Sequence, residues 1–240
     1  MKICVAQTKS IKGDIEKNID NHKKLIDLAV SNGANIIIFP ELSLTGYEPS
    51  LAKALVTHQD DRRLEDFQKI SDANQITIGV GMPTNSDKGI CISMILFQPH
   101  KARQTYSKKY IHPDEEPFFV SGENFRGLKL GETPIGLAIC YELLVPEHAQ
   151  KAFENGAKIY IASVAKSAKG VEKAFKSLAD TAHKYGMTVL MSNCFGQCDD
   201  FESVGQSAVW NNKGILLGQL SASHEGIIIM DTETQKIEYK

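Results

Sequence analysis

The stretch from Pro134 to Glu147, PIGLAICYELLVPE, constrains the fold more than any other. Ile135, Leu137 and Ile139 alternate with Gly136 and Ala138, and the run carries no charge until Glu142. Both faces therefore suit burial, as in a central strand. The strand stops at Cys140 and a helix opens near Pro146, whose fixed φ and missing N–H suit a first helical turn. A cysteine between a strand end and a helix start can present its sulfur at the edge of a sheet. As a thiolate it is a strong nucleophile, and such an elbow leaves backbone N–H groups to face a developing oxyanion. The same residue also reads as a small buried apolar side chain, because free cysteine is among the most buried residue types.

The rest of the chain supplies strands and helices in mixture. Lys2 to Gln7 reads as a strand. From Asp14, the spacing of Ile15, Ile19, Ile26, Ala29 and Val30 predicts a helix that Gly33 ends. Ile36 to Phe39 is a continuous apolar strand followed at once by Pro40-Glu41, and Leu42 to Ser50 is loop. A polar helix is expected from about Arg62 to Asn74. Strands follow at Ile76 to Met82, Cys91 to Phe97 and Arg103 to Tyr106, with a turn over Pro83 to Gly89. Phe125 to Leu130 pairs with Pro134 to Ile139 across Gly131-Glu132. Beyond the Cys140 elbow come a helix to about Asn155, a strand at Ile159 to Ala162, a helix at Val171 to Tyr185 and a strand at Thr188 to Ser192. Three tail strands follow at Gln206 to Trp210, Ile215 to Gln219 and Gly226 to Asp231. With no repeat, low-complexity segment or linker, residues 1–240 read as one α/β domain, mostly antiparallel hairpins with helices packed outside.

Composition narrows the function classes. A net charge of −2 gives no electrostatic case for nucleic acid or an anionic membrane. The start, MKICVAQTK, lacks the apolar core and cleavage site of a signal peptide, and no apolar run approaches the roughly 18 residues of a membrane span. A cytoplasmic location is expected, with Cys4, Cys91, Cys140, Cys194 and Cys198 reduced. Cys194 and Cys198 lack a second ligand pair, and no two histidines stand at i and i+4 with an acid, so no metal site and no cofactor are expected.

Three polar residues stand where apolar strands end: Glu41 after IIIFP, Lys108 after the strand at Arg103 to Tyr106, and Cys140 after GLAI. Taken singly, Glu41 reads as a solvated loop acid and Lys108, beside Lys109, as a surface cation. Together they are the three types that acyl transfer needs: a carboxylate to take a thiol proton, a sulfur nucleophile and a cation for the oxyanion.

The sequence resembles the nitrilase, or carbon–nitrogen hydrolase, superfamily over nearly its whole length. The resemblance rests on Phe39-Pro40-Glu41 with Thr45-Gly46-Tyr47, on Tyr106-Ser107-Lys108, and on Ile139-Cys140-Tyr141-Glu142 with Pro146-Glu147. Ser192-Asn193 and Gly205-Gln206-Ser207 add weaker support. It implies a four-layer αββα sandwich, with Glu41 as general base, Lys108 as oxyanion stabiliser, Cys140 as nucleophile and the Tyr141 N–H in the oxyanion hole. Lys109 is the rival to Lys108. A second glutamate is implied after the lysine, where Glu115 fits better than Glu116 and would orient Lys108 and the substrate. The implied reaction is hydrolysis of a small carboxylic amide to acid and ammonia or amine through a thioester. N-carbamoyl amines and nitriles are the alternative substrates, and a non-catalytic ligand-binding module is the alternative of another class.

The chain departs from the family pattern at two places. No arginine follows within Glu142-Leu143-Leu144-Val145, so a carboxylate clamp is not expected there. Ser163-Val164-Ala165-Lys166 replaces a stretch that often carries Pro and Trp. Glu142 and Lys166 are pocket candidates, Lys166 able to meet an acidic group or simply to be solvated. A homodimer is expected by analogy with relatives that pair the helical faces around the elbow.

Overall fold

The apolar runs become the inner strands of two sheets that face each other. The computed structural model describes residues 1–123 and 128–240. The first half of the chain forms β1 (Lys2–Gln7), α1 (Ile15–Ser31), β2 (Ile36–Ile38), α2 (Ala52–Leu55), α3 (Glu65–Asn74), β3 (Thr77–Ser86), β4 (Gly89–Phe97) and β5 (Gln104–Ser107). The second half forms β6 (Lys129–Leu130), β7 (Thr133–Ile139), α4 (Pro146–Glu154), β8 (Ile159–Val164), α5 (Ala168–Tyr185) and β9 (Thr188–Asn193). It continues with β10 (Phe195–Cys198), β11 (Phe201–Val204), β12 (Ala208–Trp210), β13 (Leu216–Gln219), β14 (Gly226–Asp231) and β15 (Ile237–Tyr239). One sheet runs β15-β14-β1-β2-β3-β4-β5 and the other β13-β12-β9-β8-β7-β6.

The expected antiparallel hairpins hold at the flanks and give way at both centres. β1, β2 and β3 are parallel, as are β7, β8 and β9. Each parallel step is bridged by a helix, which a two-residue turn cannot replace. Helices α1 and α3 cover one sheet and α4 and α5 the other, giving four layers, α-β-β-α. Between the sheets lie Val5, Ile36 and Ile38 against Leu137, Ile139, Ile161 and Leu190. The alternate residues Ile37, Phe39 and Ile78 face outward onto Ile19 and Ile26 of α1 and Phe67 of α3. On the far side Tyr160, Ala162 and Met191 meet Val171, Ala174 and Leu178 of α5. Strands apolar on both faces are what such burial requires.

Two buried hydroxyls cross the interface between the sheets. Ser163 Oγ donates to the Phe39 carbonyl at 2.8 Å, and Ser192 Oγ donates to the Ala6 carbonyl at 2.6 Å. Both tie strand ends of one sheet to strand ends of the other, at the edge where the polar residues gather.

Two sequence expectations need adjusting, and a third falls partly outside the described residues. The strand expected to stop at Met82 runs on to Ser86, with Pro83 opposite Ile92. β2 has ended by then, and on that side Pro83 offers only its carbonyl, which accepts from Thr57 N at 3.0 Å, so the missing N–H breaks no ladder bond. The hairpin β10–β11 was not anticipated, because FGQC and FESV mix Gly and charge with few β-formers. The strand expected to begin at Phe125 is described only from Leu128 on; its earlier residues lie outside the described residues. No helix is long and apolar enough to cross a membrane among the described residues.

Candidate active site

Glu41 leaves the end of β2 in a tight turn. Gly81 on β3 makes room for it: a Cβ there would sit 2.3 Å from Leu42 N and 2.6 Å from Pro40 O. The turn is fixed by Leu44 N donating to Gly81 O at 3.0 Å, and Leu42 holds a left-handed φ of 51°. Behind it, the His22 ring stacks on Phe39 at 4.0 Å and shares a 2.9 Å hydrogen bond with Ser43 Oγ. The Glu41 carboxylate is thus held rigidly, at 2% exposure.

Lys108 follows β5 and is fully buried, with 0% exposure. Its Nζ donates to Glu41 Oε1 at 2.8 Å and to Glu115 Oε1 and Oε2 at 2.7 and 2.8 Å. Glu115 is held in turn by the Tyr47 hydroxyl at 2.9 Å and the His112 N–H at 2.9 Å. Lys109, by contrast, lies over the ring of Tyr110, and Glu116 is exposed. Glu115 and Lys108 therefore enter the buried cluster, and Lys109 and Glu116 do not.

Cys140 comes from the other sheet. It sits at the end of β7 with φ of 44°, a left-handed conformation that costs a non-glycine residue roughly 1 kcal/mol or more. A 3-10 turn, Cys140–Leu144, follows. The early N–H groups of such a turn, Tyr141 among them, have no acceptor within it. The half-buried Cys140 Sγ lies 3.9 Å from the Ala165 carbonyl.

Charge and burial set the protonation states. Burial raises the Glu41 carboxyl, and the Lys108 ammonium pulls it back down. Burial by itself would depress the Lys108 ammonium, but Glu41, Cys140 and Glu115 outweigh it and hold the group raised. Burial and the Glu41 carboxylate push the Cys140 thiol up to about 11, against the pull of Lys166 and Lys108. At neutral pH Cys140 therefore rests as the thiol. Glu41 Oε2 is buried without a hydrogen-bond partner among the described residues, so one carboxylate oxygen is left to take a proton.

The carbon-nitrogen hydrolase family model matches residues 2–238. The chain belongs to the carbon–nitrogen hydrolase family. Among its relatives is the glutamine-dependent NAD(+) synthetase of Thermotoga maritima, 23% identical over 97% of this chain. The hydrolase described here spans only 42% of that protein's length. It is 25% identical to nitrilase homolog 2 of Dictyostelium discoideum, across 91% of this chain and 71% of that one. An amidase from Nesterenkonia sp. AN1, its active-site cysteine carrying added acrylamide, has the same fold. The TM-score is 0.88 at 24% identity, covering 98% of this chain and 94% of that one.

In this carbon–nitrogen hydrolase the two pocket candidates part company. Glu142 is fully buried behind the elbow. Its Oε2 accepts from Ile139 N at 2.9 Å and lies 2.8 Å from the Tyr106 hydroxyl, while its Oε1 accepts from Lys109 N at 2.7 Å. It braces the elbow against the loop after Lys108 rather than lining open space. Tyr106 also reaches His148 Nε2 at 2.9 Å, so β5 of one sheet is tied to α4 beyond the other. Lys166 lies one residue beyond Ala165, next to the thiol. Tyr47 appeared in the sequence only as part of a motif, and its bond to Glu115 became visible with the fold. Cys194 and Cys198 have sulfurs 3.6 Å apart beside Ala165. Among the described residues, no group of three or more His, Cys, Asp or Glu is arranged to hold a metal ion.

Proposed function

We propose that this carbon–nitrogen hydrolase cleaves a small carboxylic amide, releasing acid and ammonia or amine through a thioester on Cys140. The observation that carries the reading is the meeting of a half-buried thiol, a carboxylate with one unpaired oxygen and a buried ammonium at the facing ends of two sheets.

The sulfur attacks the carbonyl carbon while Glu41 Oε2 takes the thiol proton. The tetrahedral oxyanion is held by Lys108 Nζ and the Tyr141 N–H. The C–N bond breaks as Glu41 returns the proton to the leaving nitrogen, and the thioester remains. Water then adds to the thioester with Glu41 taking its proton; the C–S bond breaks and the sulfur is reprotonated. A raised carboxyl makes a stronger base, and the Lys108 ammonium favours its ionised form. Glu115 holds the ammonium in place.

Names among the relatives are consistent with amide chemistry, including an (R)-stereoselective amidase of a Pseudomonas species. The test is ammonia release from a panel of small amides, N-carbamoyl amines and nitriles, with Cys140→Ala beside the wild type. Release from amides, lost in the variant, supports the reading. Release only from carbamoyl amines or nitriles moves the reaction to that class. Turnover that survives in Cys140→Ala overturns the thioester route. No turnover, and no acyl adduct in intact-mass spectra, makes the chain a binding module.

The assembly that accompanies this reading is a cytoplasmic homodimer. Phe153 of α4 is exposed and packs on Tyr185 of α5 at 5.3 Å, an apolar pair on the helical face beyond the elbow. Light scattering that returns a monomer mass would remove the dimer.

A further inference from the structure

Lys166 is 8% exposed, yet its ammonium has no hydrogen-bond or ion-pair partner among the described residues. A cation on a mostly buried side chain with no counter-ion is free to pair with an anion that reaches it. The backbone that carries it is clamped. Lys166 N donates to Asn193 Oδ1 at 2.9 Å, and its carbonyl accepts from Ser203 Oγ at 3.0 Å and Val204 N at 3.2 Å. The main chain under Lys166 is thus fixed on both its N–H and its carbonyl.

That stretch of backbone runs beside Cys140, and the Lys166 charge acts on its thiol. β7 and β8 are parallel with Ile139 opposite Ser163, so the residues just past Ser163 lie alongside Cys140. Ala165 O is 3.9 Å from Cys140 Sγ, and Lys166 is the next residue. The start of α5 adds to the positive field. The helix begins at Ala168 with no side-chain cap on its first turn, and Gly170 in that turn lies against the Lys166 stem, where a Cβ would come within 3.2 Å of Lys166 Cβ. Free N–H groups at a helix start favour an anion.

We infer that Lys166 is a specificity residue that pairs with a carboxylate on the substrate, so that the preferred amide is a monoamide of a dicarboxylic acid. This rests on the amide-hydrolysis reading. The unpaired cation would reward the charged substrate and leave a neutral one facing an ammonium without a counter-ion.

The first test compares kcat/KM for succinamate and butyramide in the wild type, Lys166→Met and Lys166→Arg. The wild type should favour succinamate. The succinamate-to-butyramide ratio should fall about 100-fold in Lys166→Met and be largely restored in Lys166→Arg. The second test needs no turnover: alkylation of Cys140 by iodoacetate and by iodoacetamide, followed by peptide mapping. Both reagents consume the same thiolate, so their rate ratio cancels any change in thiol ionisation. That ratio should fall about tenfold or more in Lys166→Met. An alkylation ratio that Lys166→Met leaves unchanged overturns the inference. If neither amide is hydrolysed while the alkylation ratio falls, the anion site stands and the amide reading fails.

Discussion

The charges of Lys108 and Lys166 both act on one sulfur, and the fold treats the two lysines in opposite ways. Lys108 is enclosed by two carboxylates, Glu41 and Glu115, at hydrogen-bonding distance. Lys166 is almost as deeply buried and has no partner among the described residues. The first charge is balanced inside the protein and belongs to the fold as much as to the chemistry. The second is balanced only from outside, so its natural partner is a ligand. Burial alone does not separate the roles; the accounting of counter-charges does.

The comparison breaks most sharply on removal of each cation. Lys108→Met leaves two carboxylates buried together. It should lower turnover about 1,000-fold or more and cost about 3–5 kcal/mol in urea unfolding. Lys166→Met deletes an unpaired ammonium, and its unfolding midpoint should be no lower than that of the wild type. Equal destabilisation by both variants would mean that Lys166 has an internal partner. The carboxylates sharpen the picture next. Glu41→Gln removes the proton acceptor and should cut kcat about 100-fold to 10,000-fold, while substrate still binds. Glu115→Gln keeps an acceptor for Lys108 and should cost less, visible as a smaller fall in kcat.

The pH dependence follows from the same charges. In the proposed route Glu41 acts ionised, and burial raises its carboxyl. Activity should therefore fall as pH drops through that raised value, with an acid limb above the ordinary carboxylate range of about 4. Lys166 pulls the Cys140 thiol down from where burial and Glu41 would hold it. Lys166→Met should thus move the thiol upward from about 11, read from thiolate absorbance against pH. The smallest effect is expected at the brace. Glu142→Gln keeps most of its hydrogen bonds and should lower the unfolding midpoint by an amount worth about 1–2 kcal/mol.

Much of this site is legible in the sequence because its charged and nucleophilic members stand where apolar runs stop. IIIFP and GLAI announce strands, and the polar residue after each must emerge at a strand end. Lys108 and Lys109 cannot be separated that way, nor can Glu115 and Glu116; the resemblance to relatives favoured one of each, and burial in the fold now distinguishes them. The parallel centres of the sheets were hidden because periodicity reports which faces are buried and says nothing of strand direction. The Asn193 clamp on Lys166 and the bond from Tyr47 to Glu115 were also hidden. They join residues 27 and 68 positions apart, and only docking of the sheets and loops creates them. The sequence leaves Glu142 as a pocket candidate; its bonds to the Ile139 N–H, the Lys109 N–H and the Tyr106 hydroxyl come from the fold.

Ser163 fastens the end of β2 to β8. Glu41 and Lys108 belong to one sheet and Cys140 to the other, and the first sheet is completed only when β14 pairs with β1. The cluster therefore exists only where the two sheets meet: apart from the docked fold, Cys140 has neither Glu41 nor Lys108 acting on its thiol.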